Sequence, residues 1–146
     1  MKLIKYFIQF ILVIVSFVIF KILGPRLSSS LSGKIFELIG PFFRSRRVIH
    51  SNIKKGINNI NSENLKNITN LMWNNYGRLF AEYMFIKDFR NGRLSHNIQI
   101  DGQEILDEIK KSNKQVIFVS GHFSNFELMA MYLEKTGIKL SAIYRP

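Results

Sequence analysis

One short stretch late in the chain carries side chains suited to acid–base chemistry. It reads Gly121-His122-Phe123-Ser124-Asn125-Phe126-Glu127 and follows an apolar run at 116–119. A His and a carboxylate at this spacing can meet across a turn. The carboxylate then fixes the tautomer of the imidazole, whose other nitrogen can remove a proton from a substrate hydroxyl. The spacing therefore predicts a catalytic dyad of His122 and Glu127 that needs no protein nucleophile.

Other readings of the neighbouring residues stay open. A His near a helix start is also compatible with a capping or a purely structural role. Ser124 lacks the G-x-S-x-G setting of an activated nucleophile, and Ser124 or Asn125 can instead cap the following helix. Arg145 can bind a phosphate bidentately or be an ordinary surface charge. We expect Ser124, Asn125 and Arg145 to contact substrate.

Neither a metal nor a cofactor is expected. The chain has no cysteine, which excludes disulfides, thiolate nucleophiles and cysteine zinc sites. No second His lies near His122 to complete a metal site.

The elements around this stretch predict an α/β fold with a partial, mainly parallel sheet. Strand candidates alternate with helix candidates, of which the last runs from Phe126 to Glu134. Open sheets of this kind place their sites at the carboxyl ends of strands, where His122 falls. Three strands leave an edge and a face uncovered, so we expect residues 51–146 to be an incomplete domain of a truncated or split protein. The strand candidates are Ile98–Ile100, Val116–Val119 and Leu140–Tyr144.

A long amphipathic helix is predicted from Ser62 onward. Its apolar residues recur at spacings of three and four, and Gly77 within it can permit the close approach of a neighbour. Asn91-Gly92 predicts a turn, and the serines at 28–33 predict a loop or hinge. The apolar positions are Leu65, Ile68, Met72, Tyr76, Leu79, Phe80 and Tyr83.

Residues 1–25 predict a membrane anchor helix. Tyr6 to Phe20 contains no charged residue, and Lys5 and Lys21 can snorkel to extend the apolar reach toward the ~30 Å of a bilayer core. A cleaved signal peptide is the alternative, but no A-x-A-like cleavage site follows. More basic residues follow the segment than precede it, which favours a cytoplasmic carboxyl side.

The chain is strongly basic, and its basic residues are unevenly distributed. Lys and Arg total 21 against 10 Asp and Glu, for a formal charge of +11, and residues 1–50 alone carry eight basic residues and one acid. We expect 26–50 to be a basic interfacial segment on an anionic membrane surface. Nucleic acid is disfavoured because no zinc-finger or RNA-binding motif accompanies the charge.

The stretch at 121–127 closely resembles the H-x4-D/E motif of acyltransferases, in the G-H-F-G-N-W-E form of lipid A biosynthesis late acyltransferases. Ser124 replaces Gly, and Phe126 replaces Trp. Glu127, where phospholipid-type acyltransferases usually carry Asp, favours the lipid A branch. Three further stretches are similar in order and spacing: Arg47 to Ile53, the helix from Met72 to Tyr83 with its N-x-G-R and E-Y elements, and Ile143-Tyr144-Arg145-Pro146.

The resemblance implies transfer of a fatty acyl chain from acyl carrier protein to a hydroxyl of an anionic lipid A precursor. It implies His122 as general base, Glu127 as its orienting partner, and a single-pass or monotopic protein on the cytoplasmic face of the bacterial inner membrane. A basic surface suits both the anionic acceptor and the acidic carrier protein. The alternatives are an inactive membrane-bound fragment or lipid-binding stub, and a phospholipid-type acyltransferase.

Overall fold

The computed structural model describes residues 2–112 and 114–143, which form two compact units, Met1–Phe85 and Ile86–Pro146. Three short 3₁₀ turns at Gly40–Phe42, Tyr83–Phe85 and Ser95–Asn97 accompany the longer helices. The helices are α1 (Lys2–Ile39), α2 (Arg46–Gly56), α3 (Ser62–Glu82), α4 (Ile86–Asn91), α5 (Gln103–Ser112) and α6 (Glu127–Lys135).

The predicted α/β sheet is wrong for the part of the chain that the structure describes, where no strand occurs. Ile98–Ile100, Val116–Val119 and the described part of Leu140–Tyr144 are irregular; Tyr144 itself lies outside the described residues. An apolar run becomes a strand only when a neighbour supplies ladder hydrogen bonds and a packed face. Neither condition is met here: the described residues contain no strand to pair with, and Ile117 and Val119 are each 92% exposed.

Helix α1 is broken at Gly24, which adopts φ 76° and ψ 171° ahead of Pro25. Phe17 and Phe36 lie on opposite sides of the break, and each ring centroid is within 5.7 Å of that of Phe80 in α3. Along a straight helix those two residues would be about 28 Å apart at ~1.5 Å per residue. The helix therefore bends back at Gly24, so that both halves reach the same point on α3.

A close seam joins the second half of α1 to α3. A Cβ atom on Gly77 would overlap the carbonyl oxygen of Ser32, and one on Gly40 would overlap the ring of Trp73. The close approach predicted for Gly77 is thus confirmed. The loop or hinge predicted at 28–33 is wrong, because these residues are helical. Ser28, Ser29, Ser32 and Gly33 are buried, and their small size lets the two backbones meet. The buried residues of α3 follow one row at a spacing of four: Leu65, Thr69, Trp73, Gly77 and Ala81.

A chain of polar contacts crosses the same seam. Asn74 Nδ2 donates to Glu37 Oε1 at 2.5 Å, and Arg78 Nε donates to Asn74 Oδ1 at 2.6 Å. The Ser29 hydroxyl donates to Glu82 Oε1 at 3.0 Å. The Asn74–Glu37 and Ser29–Glu82 contacts are partly buried, and the partners satisfy one another, which offsets the cost of removing them from water. The polar residues of the N-x-G-R and E-Y helix therefore hold α3 against α1.

The second unit is held by polar contacts between its helices. Arg90 in α4 forms an ion pair with Glu134 in α6, and Lys135 Nζ donates to the Arg90 carbonyl at 2.5 Å. The Tyr132 hydroxyl donates to Gln103 Oε1 at 2.6 Å, which links α6 to α5. These contacts fix α6, and so the carboxyl side of the candidate site.

Candidate active site

Helix α6 positions Glu127 as its first residue. The helix prediction from Phe126 to Glu134 is confirmed, with observed bounds of Glu127–Lys135. Phe126 occupies the N-cap position, and the backbone N–H of Leu128 donates to the Asn125 carbonyl at 3.1 Å. A carboxylate in the first turn of a helix is stabilised by the helix dipole. Glu127 therefore lies at the end of α6 where an acidic side chain is commonly found.

The far end of α6 is closed by a Schellman arrangement. The N–H of Gly137 donates to the Glu134 carbonyl, and the N–H of Ile138 donates to the Leu133 carbonyl. Gly137 adopts φ 90°, the left-handed conformation that this cap requires. The helix behind the site thus has a defined end.

The chain between His122 and Glu127 is a compact turn. The N–H of Phe123 donates to the Gly121 carbonyl at 2.9 Å. Ser124 adopts φ 45°, in the left-handed region that side chains other than Gly rarely occupy. The motif that this stretch resembles has Gly at that position, and the backbone conformation gives a physical reason for it.

His122 is exposed and rests edge-on against Phe126. The two ring centroids are 4.2 Å apart and the ring planes meet at 68°, a T-shaped arrangement. Edge-to-face packing of this kind restrains the orientation of an imidazole. Sequence reasoning assigned no role to Phe126. The signal available was the aromatic residue that the resembled motif also carries at this position.

The structure places all of the remaining candidate residues except Arg145. Ser124 is exposed and Asn125 is half-buried, and both lie on the same turn as His122. Glu127 is half-buried at the other end of that turn. Arg145 lies outside the described residues. The hydrogen bond between His122 and Glu127 stays a prediction.

An open cavity of about 730 Å³ lies in the same unit. Its walls are mainly apolar and come from α5, from α6 and from the irregular segments before each helix. On α6 it begins at Leu128 and Met129, directly after Glu127. Further lining residues include Ile105, Leu106, Ile109, Phe118 and Leu133.

The model of the bacterial lipid A biosynthesis acyltransferase family matches residues 1–146, the whole chain. Comparison with curated proteins and with solved structures gives no significant match.

Proposed function

The chain belongs to the bacterial lipid A biosynthesis acyltransferase family, and we propose that it moves a fatty acyl chain from acyl carrier protein to a hydroxyl of a lipid A precursor. An acyltransferase role in lipid A synthesis follows from the family. The thioester donor and the hydroxyl acceptor are our proposal. The observation that carries it is the family match over all 146 residues, which includes the turn that bears His122 and Glu127.

In the proposed reaction, His122 is the general base. One imidazole nitrogen removes the proton of the acceptor hydroxyl while the oxygen attacks the thioester carbonyl. The tetrahedral intermediate collapses, so that the C–S bond breaks as the new C–O ester bond is kept. The imidazolium returns its proton to the departing thiolate, and the products are an ester and the free carrier thiol.

Glu127 is the proposed positioning residue. Its carboxylate would accept a hydrogen bond from the other imidazole nitrogen, hold the tautomer that leaves the first nitrogen free, and stabilise the imidazolium. Two features support the role of His122 as the base that Glu127 would orient: His122 is exposed, and its ring packs on Phe126.

Substrate contacts are proposed for the turn and for one residue beyond the described part of the chain. Ser124 and Asn125 flank the reacting centre with groups that can bond a sugar or amide oxygen. Arg145 would bind a phosphate of the acceptor as a bidentate donor.

The apolar tail of a substrate is proposed to lie in the 730 Å³ cavity. That volume falls in the range of ligand pockets, roughly 300–1,000 Å³. A chain lying in the cavity would contact Leu128 and Met129, which directly follow the proposed positioning residue in α6.

The proposed location is the cytoplasmic face of the bacterial inner membrane. Among the residues that the structure describes, one helical stretch, α1 together with the 3₁₀ turn after it (Lys2–Phe42), is long and apolar enough to cross a membrane. We propose that residues 1–25 remain as the anchor. The basic residues after it would then lie on the cytoplasmic side, where the acidic carrier protein is found.

The test is acyl transfer in membranes that contain the protein, with acyl carrier protein thioester and lipid A precursor as substrates. His122→Ala is expected to lower the rate by about 10²–10⁴-fold, the usual contribution of a general base. Glu127→Gln is expected to lower it less, because the base remains while its orientation is weakened. His96→Ala, a substitution of an exposed His in another segment, is the control and should leave the rate unchanged.

Two results would contradict the proposal. Full activity of His122→Ala would remove the general base from the mechanism. Equal rates with acyl-coenzyme A and acyl carrier protein would remove the carrier as the specific donor.

A further inference from the structure

The second half of α1 has its polarity reversed relative to a helix of a water-soluble protein. On the side packed against α3, Ser28, Ser29 and Ser32 are 0%, 7% and 1% exposed. Large apolar side chains occupy the opposite side at spacings of three and four, with exposures between 42% and 87%. We use the name outer face for four residues of α1 and one of the 3₁₀ turn that follows it: Leu27, Leu31, Ile35, Leu38 and Phe42.

Two stretches that flank the outer face in the sequence are also apolar and exposed. Large apolar side chains of α1 before the break are also mostly exposed, from Leu3 to Ile22. Phe43, next to Phe42, is 73% exposed. Exposed large apolar side chains in such number mark a contact with a membrane or a partner.

The charges next to the outer face distinguish a membrane from a second copy of the chain as its contact. Arg44, Arg46 and Arg47 follow the outer face and are exposed, and no acidic residue lies between Glu37 and Glu63. Glu37 itself accepts a hydrogen bond from Asn74 inside the unit. A second copy packed on the same face would bring like charges together, whereas anionic lipid headgroups would neutralise them.

We propose that the outer face lies in the boundary between headgroups and acyl chains of an anionic bilayer. Phe42 and Phe43 insert among the upper acyl chains, and Arg44, Arg46 and Arg47 bind lipid phosphates. Buried small polar residues with exposed large apolar ones are the arrangement that lipid contact favours. The second half of α1 is therefore a membrane-surface element that is independent of the catalytic assignment.

The absence of cysteine allows a position-specific test on the full chain. Leu31→Cys and Leu38→Cys variants carry a nitroxide label on the outer face. Ser51→Cys and Lys66→Cys carry it at exposed polar positions of α2 and α3. The proteins are placed in vesicles of phosphatidylethanolamine and phosphatidylglycerol, and relaxation by oxygen, which enters lipid, is compared with relaxation by a water-soluble nickel chelate.

We expect the ratio of oxygen to nickel relaxation to be several-fold higher at positions 31 and 38 than at 51 and 66. Far-UV circular dichroism checks that each variant keeps its helices. Replacing Arg44, Arg46 and Arg47 together by Gln, or using phosphatidylcholine alone, should lower the ratio at position 38.

Three outcomes would overturn the proposal. Nickel access at 31 and 38 equal to that at 51 would show that the outer face is in water. Shielding from both probes with dipolar broadening between labels would show that a second copy covers it. An unchanged ratio at 38 in phosphatidylcholine and in the Gln variant would show that anionic lipid has no part in the contact.

Discussion

Ser124 bears the backbone conformation on which the turn between His122 and Glu127 depends. Its φ of 45° places a side chain where the left-handed region costs an ordinary residue roughly 1–2 kcal/mol. Strain of this kind persists at sites where the surrounding structure fixes the backbone. The sign of the change in stability can therefore be predicted for substitutions of Ser124.

Ser124→Gly is expected to raise the free energy of unfolding by up to about 1 kcal/mol, because Gly adopts this conformation without steric cost. Ser124→Val is expected to lower it by about 1–2 kcal/mol, because a β-branched side chain tolerates positive φ least. Urea denaturation followed by circular dichroism in detergent measures both.

Ser120→Gly is the matched control for this pair. Ser120 does not have positive φ, so the added chain entropy of Gly should lower stability by about 0.5–1 kcal/mol. If Ser124→Gly and Ser120→Gly change stability in the same direction, the conformation assigned to Ser124 is wrong.

At the scale of elements, the α1–α3 seam depends on residues without side-chain bulk. Gly77 faces the backbone of Ser32 so closely that an added methyl group must push the two helices apart. Packed helices resist such displacement because interior contacts are dense. The seam in turn sets where the rings of Phe17, Phe36 and Phe80 meet.

Gly77→Ala is expected to lower the free energy of unfolding by about 1–3 kcal/mol, the usual cost of overpacking. The cost should appear despite the better helix propensity of Ala. Gly56→Ala is the control, since no atom lies within 4 Å of a Cβ built there. It should be neutral or raise stability by up to about 1 kcal/mol. Thermal unfolding of the helical signal distinguishes the two, and equal effects would mean that the seam is looser than described.

The sequence predicted those elements whose signal is local. The helix that became α3 begins at Ser62 with Asn61 as its cap, and α6 ends at a Gly, both as spacing and capping rules indicate. The turn at Asn91-Gly92 also follows from composition. Periodicity correctly indicated a helix over α3 but placed its apolar stripe on residues such as Tyr76, which is 53% exposed.

The failures share a cause, which is that the partner of each segment lies far along the chain. The serines at 28–33 are typical of a loop until Gly77 is placed opposite them. The apolar run at 116–119 is typical of a strand, but pairing is decided by a neighbour rather than by the run. At the candidate site, residue types predicted the dyad, whereas the packing of His122 on Phe126 depends on the turn geometry.

At the scale of the molecule, the first half of α1 is part of the first folded unit. Phe17 and Phe20 each pack against Phe80, with centroid distances of 5.6 and 5.7 Å. Cleavage after a signal peptide would remove both rings from this cluster. Burial of a Phe side chain contributes roughly 1.5–3 kcal/mol, so the unit would lose a large part of its stability.

We therefore expect protein recovered from membranes to keep its N-terminal segment. Intact mass and N-terminal sequencing measure this directly. A mature N-terminus after Leu23 would show that the segment is a cleaved signal. As a check on the physical reason, Phe80→Ala should lower stability by about 3 kcal/mol, the low end for Phe→Ala because Phe80 is half-buried. Phe7→Ala, whose ring is 64% exposed, should have little effect in detergent.

Trp73 is the only tryptophan in the chain, and its position has an optical consequence. The indole is 8% exposed and lies against Gly40, and within the described part of the chain its Nε1–H has no hydrogen-bond partner. An indole shielded from water emits at shorter wavelengths than one in solvent. Emission excited at the red edge of the absorption band thus reports on the first unit alone, because the second unit has no tryptophan. The rate at which the α1–α3 seam opens can therefore be measured by fluorescence.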